Sequence, residues 1–580
     1  MAIERLRWLS GALSTHARKI TLVVTSLILF YLVIPPIAIL LFSSLRDTEK
    51  HLPFEPTTFT IGNISQILTS PVTYELLLNS TWYAVGSTTL GLTIAATFAW
   101  FLERTNMPFR RFFFVLIFAP IAMPGFILSM AWILLANPTN GLFNVLLRDL
   151  FGMSGRGPLN IYSIPGMIFV TALRFVPTMY IMISGVFSRI DPSLEEAAGT
   201  SGARRWSTFW HISLPLLSPA ILSALVFYLV FAFEVFETAA VLGLSRRIFV
   251  FSTMIYQITH PEEGIPNYGL ASAYSIILLI LCSVLLYLYQ RYVRHAERFA
   301  TVTGRGYRPR LIDLGRWKIV PAIAMSIYFL LGVALPLLIL LWTSLAPEFS
   351  KFSFSTLSLF SLDAYKRMLS ETDLLSATKN SLMIGMTTSV ATMLLATLAC
   401  WMSVRWKGRG TWVPERLAFL ILGVPAVVLS VALVIFYVSL PIPIYGTIWI
   451  IVIALVTRFL PFGTRLMSAA FLQIHRELEE AAETSGARLF SILTRIVLPL
   501  LWPSFMRGLF WVFIRSLTEA TVAMMLFTTN NRTIAVKIWF LWMFDGEFAL
   551  VSAIAVPMVI VSGILAFFVA RQVMFVGESV

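Results

Sequence analysis

Long apolar segments recur along this 580-residue chain, and they constrain its fold more than any other feature. A helix needs about 20 apolar residues to cross a bilayer core about 30 Å thick. The run at 112–136 contains proline, so we expect a kink or a split there. By this measure the sequence predicts twelve membrane-spanning helices, near residues 20–42, 81–102, 112–136, 164–187, 217–243, 268–290, 318–343, 381–403, 417–439, 446–468, 503–528 and 549–571.

Composition supports an all-α integral membrane protein. Charged residues make up 12% of the chain and hydrophobic residues 58%, against about 25% and about 45–50% in soluble domains. These values exclude an ordinary soluble enzyme, a disordered regulator and a fibre. The formal net charge of +14 is also typical of proteins that bind nucleic acid. The basic residues lie in short gaps between apolar runs, however, so we expect a lipid bilayer and no nucleic acid as partner.

The gap charges also predict the orientation. The N-terminus, the gap after the second segment and residues 291–317 are basic, whereas 261–263 read Pro-Glu-Glu and 438–447 carry no charge. Since basic gaps stay inside, both termini and the 291–317 linker are expected in the cytoplasm. The first apolar run is too long for a signal peptide and lacks a small-residue cleavage site, so we expect it to be retained as a span.

The second half of the sequence repeats the first. Each half has six predicted segments, an even number, so the halves enter the membrane in the same direction and form a parallel repeat with a pathway expected between them. The predicted organisation is a first half at 1–290 with its repeated core at 79–290, the linker, and a second half at 318–580 with its core at 380–572. The matches include Asn79-Ser80 with Asn380-Ser381, Trp100 with Trp401, Pro124 and Ser129 with Pro425 and Ser430, and Arg174 and Pro177 with Arg458 and Pro461.

The strongest motif lies in the fourth gap of each half, in loops at 189–216 and 473–500. Asp191-Pro192 is typical of a helix start, and Gly202 and Gly486 are expected to break the helix. We expect a second short helix that ends at the Leu-Pro before the next segment. A generic interfacial loop is the alternative, but two matching copies disfavour it. The copies read Glu196-Ala197-Ala198, three residues, Gly202, nine residues, Ile212-Ser213-Leu214-Pro215, and Glu480-Ala481-Ala482, three residues, Gly486, nine residues, Ile496-Val497-Leu498-Pro499.

This motif resembles the signature loop of permease subunits of binding-protein-dependent ABC importers of the type I fold. The resemblance implies a fused pair of permease units in a bacterial inner membrane, with two copies of a cytoplasmic ATPase and a periplasmic or extracellular solute-binding protein as partners. The overall pattern is most similar to ferric-iron uptake permeases, and thiamine and aminoethylphosphonate permeases share the fused layout. The residues expected at the ATPase contact are Glu196, Ala197, Ala198, Gly202, Ala203, Arg204, Glu480, Ala481, Ala482, Gly486, Ala487 and Arg488.

The sequence lacks the motifs of an enzyme. It has no Gly-x4-Gly-Lys-Ser/Thr phosphate loop and no Gly-Lys dipeptide. We therefore expect a non-catalytic subunit that binds no cofactor, with ATP and Mg held by the separate ATPase. An ion-coupled secondary transporter is the alternative from another class, because parallel repeats occur there too. An integral-membrane enzyme is disfavoured.

Ionisable residues inside the predicted segments need an explanation, since they are costly in lipid. Glu234 and Glu237 lie in the fifth segment, and Arg515 and Glu519 in the eleventh, with Glu237 within two residues of Glu519 after alignment. One hypothesis is a ring of carboxylates on a cation pathway, with transient metal contact at Glu237 and Glu519 and no tight metal site. The alternative is structural, with Arg515 and Glu519 paired four residues apart on one helix.

Two further arginines, Arg174 and Arg458, are predicted near segment ends beside Pro177 and Pro461. We expect them to snorkel towards the interface or to contact a helix end rather than contact solute.

Overall fold

The computed structural model describes residues 2–48, 51–53, 55, 58–187, 192–296, 311–346, 354–406, 408–475, 477–487 and 489–577. Within these ranges the regular structure is helical, and the only β pairing is two isolated bridges. The first half contains α1 (Ala2–Ser44), α2 (Gly62–Thr69), α3 (Pro71–Arg104), α4 (Arg110–Phe118), α5 (Gly125–Ala136), α6 (Leu142–Phe151), α7 (Ile164–Phe187), α8 (Pro192–Thr200), α9 (Arg205–Thr208), α10 (Leu214–Glu234), α11 (Glu237–Gly243), α12 (Phe251–Thr259) and α13 (Tyr268–Ala296).

The second half repeats this order, without a counterpart of α6 and with its first segment divided by a π-helical turn. Its helices are α14 (Ile319–Phe329), α15 (Leu335–Leu345), α16 (Asp363–Ser370), α17 (Thr372–Arg405), α18 (Val413–Leu420), α19 (Ala426–Val438), α20 (Ile448–Leu472), α21 (Glu477–Thr484), α22 (Leu489–Ile492), α23 (Leu498–Thr518), α24 (Thr521–Leu526), α25 (Ile534–Phe540) and α26 (Phe548–Gly577).

In the described residues, ten helices are long and apolar enough to cross a membrane, and three bent helix pairs bring the number of candidate spans to at most 13. The protein is thus an all-α membrane protein built from two parallel repeats, as predicted. Equivalent polar contacts confirm the repeat. The amides of Phe251 and Ile534 donate to the hydroxyls of Ser80 and Ser381, at 3.0 Å and 2.9 Å.

The third span of each half is broken, as expected for 112–136. The chain bends by 95° between Arg110–Ala122 and Gly125–Ala136, and by 110° at the equivalent break. Proline follows the break residue in both halves, and Met123 and Val424 are extended because a residue before proline disfavours helix. Helices α5 and α19, which begin at these breaks, are buried almost throughout.

The predicted bounds of two spans are wrong. The helices expected at 217–243 and 503–528 instead cover Phe209–Glu234 and Leu493–Thr518. The Leu-Pro pairs do not end a helix, because helical structure continues through Pro215 and Pro499 into the spans. A π-helical turn precedes each Leu-Pro and carries the helix into the span.

The first segment of each half lies against the other half. Helix α1 packs on α13 of its own half and on α18 and α19 of the second half, while α15 packs on α26 and also on α5 of the first half. Each half therefore packs one helix, α1 or α15, on the bundle of the other half, and these two helices are called the arms.

Candidate functional site

The two signature loops have the same helix–turn–helix geometry. Gly202 separates α8 from α9 and Gly486 separates α21 from α22, with positive φ angles of 83° and 84°. The next amides, of Ala203 and Ala487, donate to the carbonyl five residues earlier at 3.0 Å in both loops. This pattern ends a helix at a left-handed glycine. The predicted break at both glycines is confirmed. Asp191 lies outside the described residues.

The loops present small residues on their surface. Gly202 and Gly486 are exposed, and a side chain added at either would meet no atom within 4 Å. The side chain of Glu196 and the whole of Arg488 lie outside the described residues, and the ATPase contact stays a prediction. Of the other predicted contact residues, Ala197, Ala203, Arg204, Glu480 and Ala481 are exposed, and Ala198, Ala482 and Ala487 are half-buried.

An ion pair that sequence reasoning missed anchors each loop to a long helix. In the first half, Arg104 at the end of α3 pairs with Glu195, which also accepts a hydrogen bond from Ser213 at 2.7 Å. In the second half, Arg405 at the end of α17 pairs with the buried Glu479, Nε to Oε1, at 2.9 Å. The loops are therefore coupled to the transmembrane bundle by matching ion pairs, in which Glu195 is half-buried and Glu479 buried.

In the second loop, Glu479 and Arg405 also form hydrogen bonds with neighbouring groups. Trp401 donates its indole N–H to Glu479 at 3.2 Å, and Arg405 donates to the carbonyls of Phe471 and Ile474 at 2.9 Å and 2.6 Å. A signal was present in the sequence, since a glutamate precedes the Glu-Ala-Ala motif in both copies and Arg104 recurs as Arg405 at the spacing of Trp100 and Trp401.

The second candidate site is a cluster of charged side chains where the broken helices of both halves meet. Glu237, the first residue of α11, lies 3.2 Å from Arg174 of α7, Oε2 to Nη1. Its other oxygen accepts a hydrogen bond from the amide of Ala520 in the second half at 3.4 Å. Glu237 therefore contacts both halves.

Glu234 makes a stronger connection between the halves. This last residue of α10 pairs with Arg458 of α20 and accepts a hydrogen bond from the amide of Ala426, the first residue of α19, at 3.1 Å. Glu519, which follows α23, lies 4.0 Å from the same arginine, Oε2 to Nε. Arg458 thus lies between one carboxylate of each half.

One expectation about Arg174 and Arg458 is wrong. Arg174 and Arg458 do not snorkel, because they lie in the middle of α7 and α20 with side chains only 19% and 20% exposed and with carboxylate partners. The pair of Arg515 with Glu519, the structural alternative raised by the sequence, is not among the ion pairs of the described residues. Glu519 lies beyond the end of α23, where its side chain turns to Arg458. Arg515 still lies within electrostatic range of Glu237 and Glu519.

Three carboxylates and three guanidinium groups make up this cluster, so its formal charge is balanced. Glu237 and Glu519 lie at equivalent breaks, after α10 and after α23, but two residues apart in register. Alignment of the two halves of the sequence placed Glu237 and Glu519 within two residues of each other, in agreement with the structure. It did not show that their partners are Arg174 of α7 and Arg458 of α20. Contact between these carboxylates and the transported solute stays a prediction.

A cavity of about 170 Å³ lies between the halves, at the helix ends opposite the signature loops. His260 and Tyr268 of the first half line it, together with Tyr445 and Phe527 of the second. The ring of His260 is stacked between Tyr256, at 4.6 Å between centroids, and Phe527, at 5.7 Å. Aromatic contacts therefore join the halves at this end of the interface.

The doubled bundle, with one helix–glycine–helix loop in each half, defines a membrane transport permease. The chain matches the family of binding-protein-dependent transport system inner membrane components twice, over residues 87–298 and 389–574. These matches cover more than half of the chain, and the protein belongs to this family. It is a multi-pass permease of the ABC importer class.

Two curated relatives cover most of the chain. The Fe(3+)-transport system permease protein FbpB 2 of Haemophilus influenzae is 25% identical over 87% of this chain and 91% of its own length. The ferric transport system permease protein FbpB of Actinobacillus pleuropneumoniae is 27% identical over 93% of this chain and 76% of its own length. Among solved structures, a bacterial ABC transporter that imports alginate matches 44% of this chain and 95% of its own, with 16% identity and a TM-score of 0.36.

Proposed function

We propose that this protein is the permease of an ATP-driven importer of ferric iron. It receives the solute from an external binding protein and passes it between its two halves into the cytoplasm by alternating access. Two copies of a separate ATPase, which holds ATP and Mg, dock on the two signature loops. Both termini and the 291–317 linker lie on the cytoplasmic side of a bacterial inner membrane.

The observation that carries this proposal is the pair of matching loops. Each has a left-handed glycine at its turn and an ion pair to the end of a long helix, Glu195 to Arg104 or Glu479 to Arg405. Such an anchor lets a push on the loop move α3 or α17 rather than only the loop. Two equivalent loops suit two equivalent ATPase subunits.

Ferric iron is supported by relatives that are named for ferric transport and align over most of the chain, among them the two described above. Carboxylates at the interface between the halves suit a cationic solute. Their arginine partners keep the cluster neutral, which suits passage better than tight chelation, because conduction needs a site that is weak enough to leave.

The test is reconstitution of the permease with its ATPase in proteoliposomes and measurement of radioactive ferric iron uptake from the loaded binding protein. We expect uptake only when ATP is present on the side of the membrane to which the ATPase is bound. Uptake driven by a proton or sodium gradient without ATP would instead indicate a secondary transporter. Uptake of thiamine or aminoethylphosphonate, with none of iron, would refute the proposed solute and leave the importer class intact.

A further inference from the structure

The contacts between the halves at the charge cluster come from one short stretch of the first half. Glu234 pairs with Arg458 and accepts a hydrogen bond from Ala426, and Glu237 accepts one from Ala520. The chain is not helical at 235–236, between α10 and α11, nor at 519–520, between α23 and α24. Non-helical junctions of this kind absorb backbone rotation when packed elements move.

Arg458 differs from Arg174 in the number and origin of its partners. Arg174 pairs with Glu237, which belongs to its own half. Arg458 lies against Glu234 of the other half and has Glu519 of its own half 4.0 Å away. When the halves separate, Arg458 and Glu519 move together, while Glu234 moves away.

This arrangement lowers the cost of opening the interface. A buried charge that loses its partner is strongly destabilising. Glu519 also accepts a hydrogen bond from the amide of Val522, at the start of α24, at 3.4 Å, and its other oxygen is already 4.0 Å from Arg458. Glu519 therefore provides a ready second partner for the guanidinium, and the arginine need not be left alone.

Building on the proposed function, we propose that Arg458 is the gate residue of the transport pathway and exchanges carboxylates during the cycle. In the closed interface it holds Glu234 and joins the halves. In the open interface it turns fully to Glu519, and Glu234 faces the opened pathway without its arginine. The pathway then presents a carboxylate to a cation only while it is open.

The two glutamates must consequently have opposite effects on gating, although they share one arginine. Glu234→Gln removes the partner of the closed state, so we expect cation leak without ATP to rise at least tenfold. Glu519→Gln removes the partner of the open state, so we expect leak no higher than in the wild type and ATP-driven turnover at least tenfold slower. A tenfold change corresponds to about 1.4 kcal/mol.

The leak is measured as entry of Co²⁺ into calcein-loaded proteoliposomes without ATP or binding protein, and turnover as the ATPase activity of the full complex. Arg367→Gln serves as the control variant, because it breaks an exposed ion pair with Glu547 remote from the cluster. Equal amounts of folded permease are verified by gel filtration. Arg458→Lys keeps the charge but loses the forked geometry, and we expect an intermediate leak.

Opposite effects of the two glutamine variants support carboxylate exchange. Effects of the same sign on leak, or a loss of folded protein in both with normal gating in Arg458→Lys, overturn it in favour of a purely structural cluster. The leak assay requires neither iron nor the binding protein. If the solute is not ferric iron, iron uptake will therefore be absent while the effects of the two glutamine variants on leak and ATPase activity persist.

Discussion

Gly202 and Gly486 allow the proposed ATPase contact to be tested with a calculable perturbation. Both have φ angles near +83°, and no atom lies within 4 Å of an added side chain. Alanine there meets no clash, so its cost is backbone strain of about 1–2 kcal/mol per residue. If both loops must keep their turn for docking, the double alanine variant loses about 2–4 kcal/mol, or roughly 30- to 700-fold in affinity for the ATPase.

The assay is binding of the purified ATPase to the permease in lipid nanodiscs. The matched double asparagine variant should bind more tightly than the alanine variant, because asparagine tolerates the left-handed conformation. Gly152→Ala imposes similar strain, at a φ of 61° and again in open space, outside the signature loops. It should leave ATPase binding unchanged. Wild-type affinity in the double alanine variant, or an equal loss with Gly152→Ala, would refute the assignment of the loops.

Three other predictions follow from the two sites and the orientation. Glu237→Gln combined with Glu519→Gln should abolish iron uptake in proteoliposomes while the ATPase still binds, with hydrolysis slowed as in Glu519→Gln alone; unchanged uptake would leave these carboxylates as structural groups. Arg405→Met leaves Glu479 buried without its cation and should lower the stability of the loop by about 3–5 kcal/mol, seen as faster hydrogen exchange, whereas adding Glu479→Met should restore most of it. Ser154 is exposed between α6 and α7, in a gap that the proposed orientation places outside. Ser154→Cys in a cysteine-free background should therefore react with an impermeant maleimide in right-side-out vesicles and not in inside-out vesicles; the reverse would contradict the orientation.

The features that the sequence predicted well are those with a local cause. The length of an apolar segment predicts a span because the thickness of the bilayer sets the same minimum length for every spanning helix. The glycine turn was predictable at Gly202 and Gly486, because a left-handed residue is needed there and the motif occurs twice. The break near Pro124 followed from the backbone restriction that proline places on its predecessor.

The errors arose where partners are distant in sequence. Arg458 appeared to lie near a segment end, and only the folded bundle brings it to Glu234 of the other half. The ion pair of Glu195 with Arg104 also joins separate segments. The Leu-Pro error has a different origin, because the π-helical turn that carries the helix past Pro215 has no single-residue signature.

The exchange of arms between the halves has a consequence for biosynthesis. Helix α1 is inserted first, yet its contacts on α18 and α19 are made only after the second half is synthesised. At about 5–20 residues per second this delay is roughly 20–80 s. Until then the face of α1 that will meet the second half is exposed to lipid, which the mean hydropathy of 2.5 in its membrane-spanning part, Arg18–Ser44, permits. Neither half is complete when translated alone, so joining them in one polypeptide ensures that each arm meets its bundle at a fixed one-to-one ratio.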